Sequence, residues 1–125
     1  MTLSTVLIVE DEPGICEALA DLLSDCGYPV ATAGDGVEAL AYLREHPRPG
    51  LVILDLMLPT MSGTEFLAEL ASDPQFQSLP TAVVSASHEL RHPLPGPVVA
   101  RLPKPIDIPA LLRTVETHAG VALGA

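Results

Sequence analysis

Hydrophobic positions along the chain fall into two alternating rhythms. Val6-Leu7-Ile8-Val9 and Leu51-Val52-Ile53-Leu54 are unbroken apolar runs, as expected of strands buried on both faces. Thr81-Ala82-Val83-Val84, ending at Ser85, predicts another strand, and residues 98–102 a fifth that stops at Pro103-Lys104-Pro105. Residues 29–33 suit a short second strand. Between these runs the apolar spacing changes to the helical period. Ile15, Ala18, Leu19, Leu22 and Leu23 form a stripe that opens at Pro13 and closes at Gly27. Val37, Leu40, Ala41 and Leu43 predict a second helix between the Gly34-Asp35-Gly36 turn and Pro47. Phe66, Leu67, Leu70 and Ala71 predict a third, broken by Asp73-Pro74. Ile108, Leu111, Leu112, Val115 and Ala119 predict the last. Strand and helix in alternation imply βαβ units, a parallel sheet and right-handed crossovers.

One crossover breaks the rhythm. Pro93, Pro95, Gly96 and Pro97 follow the fourth strand where a helix is due, and they forbid a regular one. At most one turn is expected over residues 87–91. No repeat, low-complexity tract or interdomain linker is visible, so the expectation is a single domain over residues 1–125 with its core at about 5–119 and no output domain.

Composition narrows the partners. Sixteen acidic against six basic residues give a formal charge of −10. That disfavours nucleic-acid backbones and anionic membrane surfaces, both of which need surplus Lys and Arg. The apolar runs are too short for a transmembrane helix, and MTLSTVLIVEDE lacks the positive segment of a signal peptide. Cys16 and Cys26 are too few for a disulfide framework. On one helix they would stand roughly 15 Å apart, too far to bridge. They are expected to be plain thiols in a reducing cytoplasm. The histidines at 46, 88, 92 and 118 have no metal-ligand spacing.

Candidate chemistry collects where ligands of open parallel sheets sit, at the carboxyl ends of the strands. The first strand ends in Glu10-Asp11-Glu12, the third in Asp55, the fourth in Ser85, and the fifth runs into Lys104, the only lysine of the chain. Singly, each has a bland explanation as a helix cap, a turn residue or a solvated charge. Together they pose a problem. Two carboxylates about 5 Å apart repel by roughly 3 kcal/mol at an effective dielectric of about 20. A hard cation with oxygen ligands relieves that repulsion, and Mg²⁺ suits it. A carboxylate beside Mg²⁺, an ammonium and a hydroxyl is equipped to accept a phosphoryl group.

The combination of VLIVEDE, LVILDLMLPTMSG, VVSAS and LPKP resembles the receiver domain of two-component response regulators, from Val6 to about His118. The resemblance implies a flavodoxin-like, doubly wound, five-stranded parallel sheet in the order 2-1-3-4-5 with helices on both faces, the fourth helix being short, degenerate or absent. It implies Asp55 as phosphoacceptor and a Mg²⁺ site of Glu10, Asp11, Asp55 and the backbone carbonyl of Met57. Lys104 would contact the phosphoryl group. The Ser85 hydroxyl would move toward it, and Ala86 would leave it room. Met57 and Ser87 stand where the rate of hydrolysis is tuned, the alternative for Met57 being a side chain that merely packs. Lys104-Pro105 resembles a bond often cis in that family. The implied partners are a sensor histidine kinase or histidine phosphotransfer protein, an unidentified downstream protein, and a second copy of the chain. Such a protein is not a conventional enzyme, though it promotes its own phosphorylation and dephosphorylation.

Two departures stand out. Arg101 occupies the position, three before the lysine, where the family commonly has an aromatic residue that swings inward. A buried guanidinium is costly without a partner. The Pro-rich crossover replaces the fourth helix. Three rival readings remain: a pseudo-receiver that binds protein without phosphorylation, an Asp-nucleophile phosphatase, and a flavin binder. No second acid follows Asp55 by two residues, Met57 being there instead, and no Gly/Ser/Thr-rich phosphate loop follows the first strand.

Overall fold

The computed structural model describes residues 3–86 and 92–121. Its strands are β1 (Val6–Val9), β2 (Val30–Ala33), β3 (Leu51–Asp55), β4 (Thr81–Ser85) and β5 (Val98–Pro103). Its helices are α1 (Pro13–Asp25), α2 (Gly36–Glu45), α3 (Gly63–Ser72) and α4 (Ile108–Ala119). The five strands are parallel and ordered β2-β1-β3-β4-β5. The flavodoxin-like arrangement that the motifs imply is therefore what the chain adopts.

Alternation along the strands divides the core into two layers. Leu7 and Val9 of β1, with Val52 and Leu54 of β3, pack against Ala39, Leu40 and Leu43 of α2 and Phe66, Leu67 and Leu70 of α3. Val6 and Ile8, with Leu51 and Ile53, pack against Leu19 and Leu23 of α1 and Leu111 and Val115 of α4. Central strands are covered on both sides, which is why β1, β3 and β4 read as continuous apolar runs.

Helix ends follow local chemistry. Pro13 opens α1, and Tyr28 and Gly27 close it by donating to the Leu23 and Ser24 carbonyls. Asp35 caps α2 by accepting from Glu38 N–H, and Ser62 forms a capping box with Glu65 at α3. Asp107 caps α4. The helical stripes are narrower than their spacing suggests. Ile15, Ala18, Ala41, Ala71 and Ile108 are exposed, because each helix covers only one face of a five-stranded sheet.

The described part of the β4–β5 crossover, residues 92–97, contains no helix. The turn expected over residues 87–91 lies outside the described residues. Leu94 packs against the α2–α3 layer. Gly96 has φ +80°, and a Cβ there would meet the Leu67 carbonyl oxygen at 2.7 Å. Cys16 and Cys26 are half-buried free thiols. No helix among the described residues is long and apolar enough to cross a membrane.

Candidate functional site

Strand register assembles the site. β3 lies between β1 and β4, with Val9 opposite Leu54 and Val84 opposite Asp55. Glu10, Asp55 and Ser85 therefore reach one edge of the sheet. Ser85 pairs with Pro103 of β5, and its carbonyl accepts from Lys104 N–H at 3.0 Å. The Lys104–Pro105 peptide is cis.

Three of the candidate residues close on one another. Glu10, Asp11 and Asp55 each offer a carboxylate oxygen, and these oxygens lie within 4.8 Å of one another. Glu10 and Asp55 are 6% and 4% exposed, whereas Asp11 is open to solvent. Lys104 Nζ donates to Asp55 Oδ2 at 3.0 Å, and Met57 N–H donates to Asp55 Oδ1 at 2.9 Å. Both oxygens of Asp55 are thus held, one by an ammonium and one by a backbone amide. Glu10 Oε1 accepts from Glu12 N–H at 3.1 Å. The acidic run is not a helix cap: Glu12 is the N-cap of α1 and its side chain makes no capping bond.

The electrostatics match this crowding. Burial, and then the neighbouring Asp55 carboxylate, push Glu10 up to about 7, against the weaker pull of Glu12 N–H and Lys104. For Lys104, burial alone would lower the ammonium's pKa. Its hydrogen bond to Asp55 and the charges of Asp55, Glu10 and Asp11 outweigh burial and raise it. The edge therefore holds more negative charge than it can neutralise with its own lysine. All donors in the cluster are oxygens, the set that a hard divalent cation takes.

The loop from Asp55 to α3 is tightly folded. Gly63 N–H donates to the Leu56 carbonyl at 3.0 Å, and a Cβ at Gly63 would stand 2.6 Å from Leu56 Cα. Only glycine permits that approach, which keeps the start of α3 beside Asp55. Thr60 has φ 65°, and Met61 N–H donates to the Pro59 carbonyl at 2.6 Å. A β-branched residue there stores strain on the order of 1–3 kcal/mol. Nothing in the residue types marks this position in advance.

The remaining candidates divide. Ser85 is buried and Ala86 half-buried at the same edge. Ser87 lies outside the described residues. Met57 is 64% exposed, so its side chain is not core filling. Arg101 points away from the core, and its Nη1 donates to the His92 carbonyl at 2.9 Å. Sequence reasoning missed this tie, because nothing local relates the two residues. A cavity of about 440 Å³ between Leu56, Met57, Ser62, Thr64 and the 92–94 segment adjoins the site.

Comparison with known proteins agrees with this geometry. Residues 6–116 match the family model of the response regulator receiver domain. The response regulator Rre1 of Synechocystis sp. is 42% identical over 83 residues, covering 66% of this chain and 36% of that protein. The polar-differentiation response regulator DivK of Brucella anthropi is 32% identical over 124 residues, covering 94% of this chain and 98% of DivK. The signal receiver domain of a histidine kinase from Syntrophus aciditrophicus superposes with a TM-score of 0.82 at 26% identity, over 91% of this chain and 88% of that one.

Proposed function

The chain belongs to the response regulator receiver domain family of two-component signalling, and from that premise we propose that Asp55 accepts a phosphoryl group from a phosphohistidine. The observation that carries this reading is the convergence of Glu10, Asp11, Asp55 and Lys104 at one sheet edge. The donor is a sensor histidine kinase or a histidine phosphotransfer protein. An Asp55 carboxylate oxygen attacks phosphorus, the nitrogen–phosphorus bond breaks, and the electron pair leaves with the imidazole, which takes up a proton.

Each residue has a part in that exchange. Met57 N–H and Lys104 Nζ fix the Asp55 carboxylate before attack. Lys104, 3.0 Å from that carboxylate, then balances charge on the phosphoryl oxygens. Ser85 supplies a hydroxyl and Ala86 the space for the new group. The oxygen cluster fits Mg²⁺, which Glu10, Asp11, Asp55 and the Met57 carbonyl would hold. When bound, the ion supplies positive charge against phosphoryl oxygens and relieves the repulsion among the carboxylates. The exposed Met57, two residues past the acceptor, is proposed to hinder hydrolytic water and slow loss of the group.

The product is a signal delivered by protein contact. Arg101 faces outward and residues 92–97 form no helix, so the surface that reads the phosphorylated state differs from the usual inward aromatic arrangement. Intact mass after incubation with acetyl phosphate and Mg²⁺ tests the reading. A gain of about 80 Da is expected, absent with a chelator and absent in Asp55→Asn. No gain would leave the chain as a binding module of the same fold, and a gain that survives Asp55→Asn would remove Asp55 as acceptor.

A further inference from the structure

At the amino ends of the strands, opposite the acidic edge, lies a cluster of positive charge that phosphoryl transfer does not use. The chain has six Lys and Arg against sixteen Asp and Glu. Two arginines and a histidine nevertheless line one cavity of about 370 Å³. Arg44, His46 and Arg48 come from the end of α2 and the loop before β3. Gln75 and Phe76 come from the turn before β4, and Leu43 completes the wall.

Arg48 is already oriented. Its Nη2 donates to the Ser78 carbonyl at 2.9 Å and its Nη1 to the Gln75 carbonyl at 3.4 Å. Carbonyls aim a guanidinium without neutralising it, and its other N–H groups remain for a ligand. Neither Arg44 nor Arg48 has a carboxylate partner among the described residues. Arg44 alone could be read as complementing the carboxyl end of α2, and Arg48 alone as stapling two loops. Neither role explains two guanidiniums without ion pairs around one cavity in a chain of formal charge −10. His46 stacks on Tyr42 with ring centroids 4.2 Å apart, which holds the imidazole at the rim.

We propose that this pocket binds a small phosphomonoester, its phosphate between Arg44 and Arg48 and its organic body over the small exposed edges of the otherwise buried Phe76 and Leu43. Two forked guanidiniums match the three oxygens of a dianionic phosphate better than the two of a carboxylate. The volume lies in the range of small-molecule sites. The proposal is independent of the reading of Asp55, since the two sites occupy opposite ends of the sheet.

Amide ¹H–¹⁵N spectra of the full chain, titrated with phenyl phosphate without Mg²⁺, test it. Saturable shifts are expected over residues 43–48 and 75–78, with a dissociation constant near about 1 mM. Inorganic phosphate should move the same amides more weakly, and benzoate should not saturate them. Arg44 is exposed and holds no loop, so Arg44→Gln keeps the fold and should weaken phenyl phosphate about fivefold. Absence of saturable shifts, shifts confined to residues near Lys104, equal binding of benzoate, or unchanged affinity in Arg44→Gln would each overturn the proposal.

Discussion

The acidic edge and the β4–β5 crossover are neighbours built on different physical terms. At the edge, functional groups sit on or directly after strands that are buried on both faces. Asp55 ends β3, Ser85 ends β4, and Glu10 follows β1, so the sheet's register fixes where they stand. In the crossover, residues 92–97 have no ladder or helix to position them. That segment is held by separate contacts: Leu94 in the core layer, Gly96 on the Leu67 carbonyl, Pro97 accepting from Thr81 N–H, and Arg101 on His92. The two regions are positioned by different physics, the edge by strand register and the crossover by scattered individual contacts.

The largest expected effect lies at Glu10 of the acidic edge. Its folded pKa is raised from 4.5 to about 7, so the metal-free fold binds this proton more tightly than the unfolded chain does. The associated stability is fully present below about 4.5 and is lost as pH rises toward about 7, a change of roughly 3 kcal/mol. Urea melts of metal-free protein and of Glu10→Gln across that interval should diverge, the variant keeping the flatter profile. Parallel curves would mean that the fold does not raise the Glu10 carboxyl.

A smaller effect belongs to the crossover. Gly96→Ala forces a Cβ onto the Leu67 carbonyl at positive φ and should cost on the order of 2 kcal/mol. Acetyl phosphate labelling of the same variant should remain near that of the parent protein. If labelling fell with stability, the two regions would not be separable. Arg101→Ala removes the exposed hydrogen bond to the His92 carbonyl along with the rest of that side chain's contacts and should lower stability by about 1 kcal/mol in a thermal melt. A larger loss would make this tie a main anchor of the crossover. Met57→Asn should leave the melt unchanged and shorten the lifetime of the acyl phosphate, because the exposed thioether is replaced by a group that hydrogen-bonds water. An unchanged lifetime would remove Met57 from the account.

Much of this was legible in the residues, and the reason is physical. Strands covered on both faces must be continuously apolar, so β1, β3 and β4 declare themselves, and their first polar residues mark the site. Pro13 opens α1 where the apolar spacing places its start, whereas the capping bonds of Asp35, Ser62 and Asp107 emerge only in the folded chain. Long-range facts left no such trace. The exposure of Ile15 and Ala18 depends on how α1 rides on the sheet. The tie between Arg101 and His92 and the bonds from Arg48 to the Gln75 and Ser78 carbonyls depend on tertiary packing. Thr60 has none of the residue chemistry that favours a positive φ.

Asp55 is the one carboxylate proposed to receive the phosphoryl group. Borohydride reduction of protein treated with acetyl phosphate and Mg²⁺, followed by tandem mass spectrometry, reads this directly. Homoserine is expected at position 55 and unmodified acids at 10, 11 and 12. Homoserine elsewhere, or intact aspartate at 55 in labelled protein, would contradict it.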